Sequence, residues 1–166
     1  MRLQLEVPAT SANLGPGYDA FGLALDIVDT LTLTVHDGAV DSQSCVTVSG
    51  EGAQTLPHDR SHLVMRVIAE VLAAEFPTTD LSLLERIELD CRNRIPHSRG
   101  LGSSAAAVVA GIGLASELGR LTTGAGLDRN RILEIATDFE GHPDNAAPEI
   151  FGGLTISQSG PTRTWQ

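Results

Sequence analysis

The run Pro96-His97-Ser98-Arg99-Gly100-Leu101-Gly102-Ser103-Ser104-Ala105-Ala106 combines features that suit one kind of chemistry. Glycines remove the Cβ atoms that would block an approaching phosphate. The run leads directly into an Ala-rich segment with helical spacing, whose first-turn N–H groups lack intrahelical acceptors and whose end carries about +0.5 charge. Such a place is an anion cradle. Ser103 and Ser104 add hydroxyls that can bond a phosphate oxygen or ligate Mg²⁺. A tight strand-to-helix turn with a serine N-cap uses the same residues. Gly100, Gly102 and Ala105 also satisfy the relaxed dinucleotide pattern G-x-G-x-x-A. That pattern needs a strand immediately before the glycines and a second strand after the helix, and neither is available around residues 93–99 and 119–126.

Two further segments carry polar groups at suggestive spacing. Val7-Pro8-Ala9-Thr10-Ser11-Ala12-Asn13-Leu14-Gly15-Pro16-Gly17-Tyr18-Asp19 leaves a strand through Pro8 into a stretch dense in glycine and small hydroxyls. Read as a loop, it offers Asn13 as donor and acceptor and Asp19 as acceptor for an ammonium; a plain connection is the competing reading. Residues 134–153 place Glu134, Asp138, Glu140 and Asp144 around Gly141-His142-Pro143. One of these carboxylates could give Mg²⁺ an oxygen, with His142 and Asn145 touching a substrate. A solvated helix face, with Glu134 paired to Arg131 one turn back, reads equally well.

The elements that must position these groups follow from periodicity. Residues 2–7 and 30–35 alternate polar and apolar as half-buried strands do, and 44–49 and 85–92 are shorter versions. Residues 61–76 form an amphipathic helix with Asp59 or Ser61 as N-cap and Pro77 as the stop. Residues 103–118 form a small-faced buried helix in which Gly111 and Gly113 cost ~1 kcal/mol each and permit close backbone approach. Asp128 caps a third helix with Ile132, Leu133, Ile135, Ala136 and Phe139 on its apolar side, ending near Gly141; 153–157 starts a strand. Strands first and helices later predict an α+β domain with helices covering one face of a sheet. Residues 161–166, with the only tryptophan next to last, follow that strand with no terminal helix.

Composition narrows the function. The 166 residues are 42% apolar and 19% charged, a globular balance sufficient for one domain. The net charge is -10 and all eleven basic residues are arginine, so no basic stripe exists for nucleic acid. The absence of lysine excludes a Walker lysine, a protein-kinase strand lysine and a pyridoxal Schiff base. No unbroken apolar run of ~20 residues and no signal-peptide pattern at Met1 point to a cytoplasmic protein without a membrane span. Cys45 and Cys91 form no metal-binding or disulfide pattern.

Together, in this order and spacing, the three segments resemble the GHMP small-molecule kinases and, within them, the homoserine kinases. Residues 96–106 are similar to the family's ATP signature P-x-x-x-G-L-G-S-S-A-A. The Asn13-Leu-Gly-Pro-Gly-Tyr-Asp19 run narrows the resemblance, and His142-Pro-Asp-Asn145 followed by Gly152-Gly153 looks like the family's turn. The resemblance implies the N-terminal ATP-binding domain, a mixed sheet covered by helices in a ribosomal-protein-like βαβ fold, with the C-terminal GHMP domain missing. It implies ATP and Mg²⁺, transfer of phosphate to the side-chain hydroxyl of L-homoserine on the route to threonine, no nucleic-acid or membrane partner, and a homodimer as one candidate state.

Carried over by residue, Pro96 to Ala106 surround the phosphates and His62 stands beside the nucleotide where many relatives place asparagine. Ser104 and Glu134 hold the metal, and Asn13, Asp19 and His142 bind substrate. Asn145 falls eleven positions after Glu134, where mevalonate-type kinases place a catalytic aspartate. An asparagine accepts no proton usefully, so alignment of the hydroxyl must carry the reaction. The family's further substrate-binding arginines lie in the missing half. A non-catalytic ATP-binding fragment, another GHMP small-molecule kinase and a dinucleotide oxidoreductase are the alternatives.

Overall fold

The computed structural model describes residues 1–158 and the backbone of 163–165. In chain order the elements are β1 (Arg2–Ala12), a 3₁₀ segment (Gly15–Ala20), β2 (Phe21–Val35), β3 (Val46–Gly50), α1 (Leu63–Glu75), a second 3₁₀ segment (Leu81–Arg86), β4 (Ile87–Asn93), α2 (Ser103–Thr123), α3 (Arg129–Glu140), α4 (Ala146–Phe151), β5 (Leu154–Gln158) and β6 (Arg163–Trp165). This is the α+β composition that the periodicity predicts. The chain divides into two compact units: Met1–Glu6, Thr30–Asn93 and Ala110–Gly126 form one, and Val7–Asp29, Arg94–Val109 and Leu127–Gln166 the other.

In the first unit, β3 runs parallel to β4, and β4 runs antiparallel to β2, so the sheet is mixed. The register sets buried side chains in rows, Leu33 opposite Leu89 opposite Val46, and Leu31 opposite Cys91 opposite Val48. Alternation along each strand sends these side chains to one face, where burial is worth roughly 1.5–3 kcal/mol per large apolar group. β1 begins here, with Met1 and Val35 exchanging two bonds of 2.8 Å. α1 contributes Val64, Val67, Ile68, Val71 and Leu72 to the core. A Cβ on Gly111 would come within 2.7 Å of Val67 Cγ1, so the glycine is what lets α2 approach α1 closely.

The N-cap of α1 differs from the sequence expectation. His62 Nδ1 accepts from Val64 N at 3.3 Å, while Asp59 closes the preceding turn by accepting from Ser61 N at 2.8 Å. The helix stops at Phe76, one residue before Pro77.

In the second unit, β2 pairs antiparallel with β5, Phe21 opposite Ile156 and Leu23 opposite Leu154, and β5 pairs with β6. β1 continues through Pro8 to Ala12 where the sequence predicts a loop. The reason is directional: Thr10 N donates to Leu101 O at 3.1 Å, and in a strand Pro8 faces the same edge as Thr10, so its missing N–H costs no bond to β2. α3 begins at the predicted cap, Asp128 Oδ1 accepting from Arg131 N at 2.8 Å, and ends at Gly141 with φ 86°. Phe139, placed on the apolar side by its spacing, is 37% exposed. α4 and β6 were not legible from the periodicity. Of the tail at 161–166, residues 161, 162 and 166 lie outside the described residues.

α2 is long and apolar enough to cross a membrane by length and composition, and 67% of its apolar window is buried within the protein. Its apolar surface is used by the core. Cys45 and Cys91 are buried and neither is in a disulfide.

Candidate active site

The glycine-rich loop of the second unit is held from behind before it can present anything. Asp29, 7% exposed, accepts from Arg94 N at 2.6 Å and from Ile95 N at 2.9 Å, fixing the backbone just ahead of Pro96. Ser98, Gly100 and Gly102 then adopt φ of 57°, 70° and 72°. Two of these three left-handed positions are glycine, the residue that pays no steric penalty there. The loop closes on α2 with Ala106 N donating to Gly102 O at 2.8 Å. No side chain among the described residues accepts from the first-turn amides of α2. Ser98, Arg99, Gly100 and Ser104 are exposed, Pro96, His97, Leu101, Gly102 and Ser103 half-buried, and Ala105 and Ala106 buried as the helix packs down.

Gly102 rests on a polar cluster. A Cβ there would collide with Thr10 Oγ1 and lie 2.8 Å from Glu149 Oε1 and 3.2 Å from Asn145 Oδ1. Thr10 is fully buried; its hydroxyl lies 2.9 Å from Asn145 Oδ1 and 3.3 Å from Glu149 Oε1. Burial holds the Glu149 carboxyl well above the usual carboxylate range; the bond from Thr10 opposes this, and Glu140, Asp29 and Asp144 reinforce it.

Asp144 organises the turn after α3. Fully buried, its Oδ1 lies 2.5 Å from His142 Nδ1 and accepts from Asn145 N at 3.0 Å and from Asn145 Nδ2 at 3.4 Å. His142 is thereby oriented with its side chain 43% exposed, and the Asn145 amide is fixed with its oxygen toward Thr10.

The carboxylates separate cleanly. Ser104 Oγ donates to Glu140 Oε1 at 3.0 Å. Glu134 is tied instead to Arg131 Nη1 at 2.8 Å, on an exposed helix face. The structure therefore brings Glu140, not Glu134, to Ser104. Two converging hard oxygens, one of them anionic, fit Mg²⁺, which keeps several ligand positions for water and phosphate instead of requiring a full protein cage. No cluster of three or more His, Cys, Asp or Glu able to hold a metal exists among the described residues.

Asn13 (φ 58°) and Asp19 are exposed, and neither side chain makes a hydrogen bond or ion pair among the described residues. Both ends of their segment are anchored at one turn. Thr10 bonds Asn145, and Gly22 packs against the Asp144 carbonyl, with Pro148 Cγ 2.8 Å from where a Cβ would sit. His62 belongs to the other unit, 4% exposed as the cap of α1, where burial lowers its pKa.

Thr10, Asp29 and Glu149 thus join the site without having been singled out from the sequence, where Glu140 and Asp144 stood among several candidate carboxylates. Only Glu149 carried a local signal, as a lone carboxylate inside the apolar run Ala146-Ala-Pro-Glu-Ile-Phe151.

A lysine-free, glycine-rich loop opening a helix on an α+β frame, with a hydroxyl–carboxylate pair beside it, characterises the chain. Residues 62–153 match the family described as GHMP kinases N terminal domain, and the chain belongs to that family. Among curated relatives it is 49% identical over 157 residues to a homoserine kinase from Clavibacter michiganensis, covering 94% of this chain and 46% of that protein. It is 50% identical over 158 residues to one from Cutibacterium acnes, covering 93% and 50%. The chain spans about half the length of the curated relatives it matches. The crystal structure of a homoserine kinase from Cytophaga hutchinsonii superimposes with a TM-score of 0.73 at 27% identity, over 99% of this chain and 51% of that one.

Proposed function

We propose that this chain is the ATP-binding half of a kinase that phosphorylates the side-chain hydroxyl of L-homoserine. The observation that carries the proposal is the Ser104–Glu140 pair beside a cradle braced on Thr10 and Asn145. The nearly 50% identity to homoserine kinases supports the choice of substrate.

In this reading the amides after Gly102 and the positive end of α2 hold the polyphosphate, supplying from backbone what a lysine supplies elsewhere. Ser104 and Glu140 hold Mg²⁺; Glu140 takes the place that the resemblance gives to Glu134. The metal, when bound, neutralises charge developing on the transferred phosphoryl group. Asn13, Asp19 and His142 bind the amino-acid end of the substrate, and Asn145 orients its hydroxyl in line with the γ-phosphorus. Alignment suffices because a loose phosphoryl-transfer transition state asks little of a base. The substrate carboxylate requires the arginines that the resemblance places in the C-terminal GHMP domain, so turnover calls for that half.

The test is calorimetric titration of the chain with ATP and Mg²⁺, followed by ADP release with L-homoserine in the presence of a relative's C-terminal half. Binding with turnover supports the kinase. Binding with no turnover in either case supports a non-catalytic ATP module, and NAD binding in place of ATP would overturn both.

A further inference from the structure

Around Gly102, three oxygens compete for too few protons. The Thr10 hydroxyl has one hydrogen and faces two acceptors, Asn145 Oδ1 at 2.9 Å and Glu149 Oε1 at 3.3 Å. The Asn145 amide cannot relieve the conflict by turning over, because its Nδ2 faces Asp144 Oδ1 at 3.4 Å and a flip would set oxygen against carboxylate. If Glu149 were ionised, it would be the stronger acceptor and would take the hydrogen. Thr10 and Asn145 would then meet oxygen to oxygen at 2.9 Å with nothing between them. The shorter distance lies on the asparagine side, so the hydrogen belongs there. The Thr10–Glu149 contact is a hydrogen bond only if Glu149 supplies the proton.

A second observation agrees. Glu149 Oε2 is buried and has no partner among the described residues, and the residue is only 7% exposed. An orphaned carbonyl oxygen of a neutral acid costs far less than an orphaned oxygen of a buried anion. The charged groups facing Glu149 are Glu140, Asp29 and Asp144, all acidic, and none offers a compensating cation.

We propose that Glu149 is a positioning residue: as a neutral acid it donates to Thr10 Oγ1, which commits the Thr10 hydroxyl to Asn145 Oδ1 and holds that amide against Gly102. The order is then Glu149 to Thr10 to Asn145 to Asp144, each group donating to the next. Its consequence for catalysis rests on the reading of Asn145 as the group that orients the substrate hydroxyl.

The experiment is NMR on the 166-residue chain with ¹³C-labelled glutamate and ¹⁵N-labelled asparagine. The Glu149 carboxyl carbon is expected to remain at its protonated position as pH rises above 4.5, where exposed glutamates ionise. Glu149→Gln, whose Nε2 can still donate to Thr10, is expected to leave the Asn145 side-chain amide signals in place. Glu149→Leu and Thr10→Val are expected to move those signals, and Thr10→Val remains informative if the leucine variant does not fold. In parallel, Thr10→Val should weaken ATP affinity about tenfold, a difference of ~1.4 kcal/mol. An ionised Glu149 at neutral pH, or a glutamine variant that disturbs Asn145 as much as leucine does, overturns the proposal. If the unmodified chain binds no ATP, the kinase reading fails while the NMR result still decides the role of Glu149.

Discussion

At the start of α1, a side chain of the protein satisfies the exposed helix end: His62 Nδ1 accepts from Val64 N at 3.3 Å, inside the core. At the start of α2, no side chain among the described residues does so, and the approach is made through left-handed Ser98, Gly100 and Gly102 with Ser104 left exposed. Both helices are long and apolar, and both carry the same partial charge at their N-termini. What separates them is whether the fold has spent its own acceptors on the first turn. A capped helix start is a structural joint, whereas the uncapped one, braced from behind by Asp29 and Thr10, leaves its first-turn amides unspent, as the proposed phosphate site requires.

Filling the open start should give the largest effect. Gly102→Val adds a β-branched side chain at φ 72°, into Thr10, Glu149 and Asn145. Strain alone costs on the order of 1–3 kcal/mol, and the displaced amides can no longer converge on phosphate. ATP binding measured by calorimetry is expected to disappear while circular dichroism still shows a folded chain at low temperature. Unchanged affinity would sink the assignment of the cradle.

Next comes the choice between two carboxylates on α3. Glu140→Gln removes the anionic partner of Ser104 and should reduce Mg²⁺-dependent ATP affinity by about tenfold or more, since a charge-assisted ligand is lost. Glu134→Gln breaks an exposed pair with Arg131, worth less than ~0.5 kcal/mol, and should leave affinity unchanged. The opposite ranking, read by titrating Mg²⁺ against each variant, would restore Glu134 to the metal.

That choice also shows what was legible in the sequence. The glycine-rich loop and its helix start were, because their signal is local: glycines, serines and a helical segment lie consecutively at 96–106. The strands expected at 30–35 and 85–92, the latter observed at 87–93, and the helices beginning near 62, 103 and 129 were legible because periodicity reports a buried face. The partnership of Ser104 with Glu140 was not, since Glu134 and Glu140 occupy the same helix and only tertiary packing decides which meets the loop. Thr10 was hidden because Pro8 signalled a strand end, while the structure turns that proline toward the edge where no β2 bond is lost. Asp29 and Glu149 act on backbone and side chains 65 and 139 positions away, a separation that no local pattern encodes. α4 escaped notice because it is short and carries Pro148 within its first turn, where proline is tolerated.

A smaller effect should come from Glu149. Folded, it keeps a proton above its ordinary value of 4.5, whereas the unfolded chain releases it there. The folded state therefore binds more protons in that window, and stability falls as pH rises from about 4.5 until the folded group ionises, by up to ~1.4 kcal/mol per pH unit. Glu149→Gln has no proton to lose. Its margin over the unmodified chain should widen as pH rises above about 4.5 in urea unfolding. Parallel stability curves for the two proteins would mean that Glu149 ionises as an exposed carboxylate does.

The smallest effect, at the closed helix start, sharpens the contrast from the other side. His62 caps α1 only while Nδ1 carries a lone pair, and burial lowers its pKa below the ordinary 6.5. The unfolded chain binds a proton that the folded chain refuses, so stability is retained above about pH 6.5 and declines as pH falls below it. An asparagine at this position supplies an uncharged cap oxygen of comparable quality and removes the buried Nε2 hydrogen that has no partner among the described residues. His62→Asn should thus match the parent within about 0.5 kcal/mol near pH 8 and exceed it as pH falls below about 6.5, where the unfolded histidine chain gains a proton that the folded one refuses. Thermal unfolding across that range reads the cap, and ATP affinity measured on the same samples reads the nucleotide role that the resemblance implies. If stability follows this course while affinity holds, His62 is a joint of the fold. If affinity falls with stability intact, the closed helix start also touches the nucleotide, and the division between the two helix starts is less complete than their hydrogen bonds suggest.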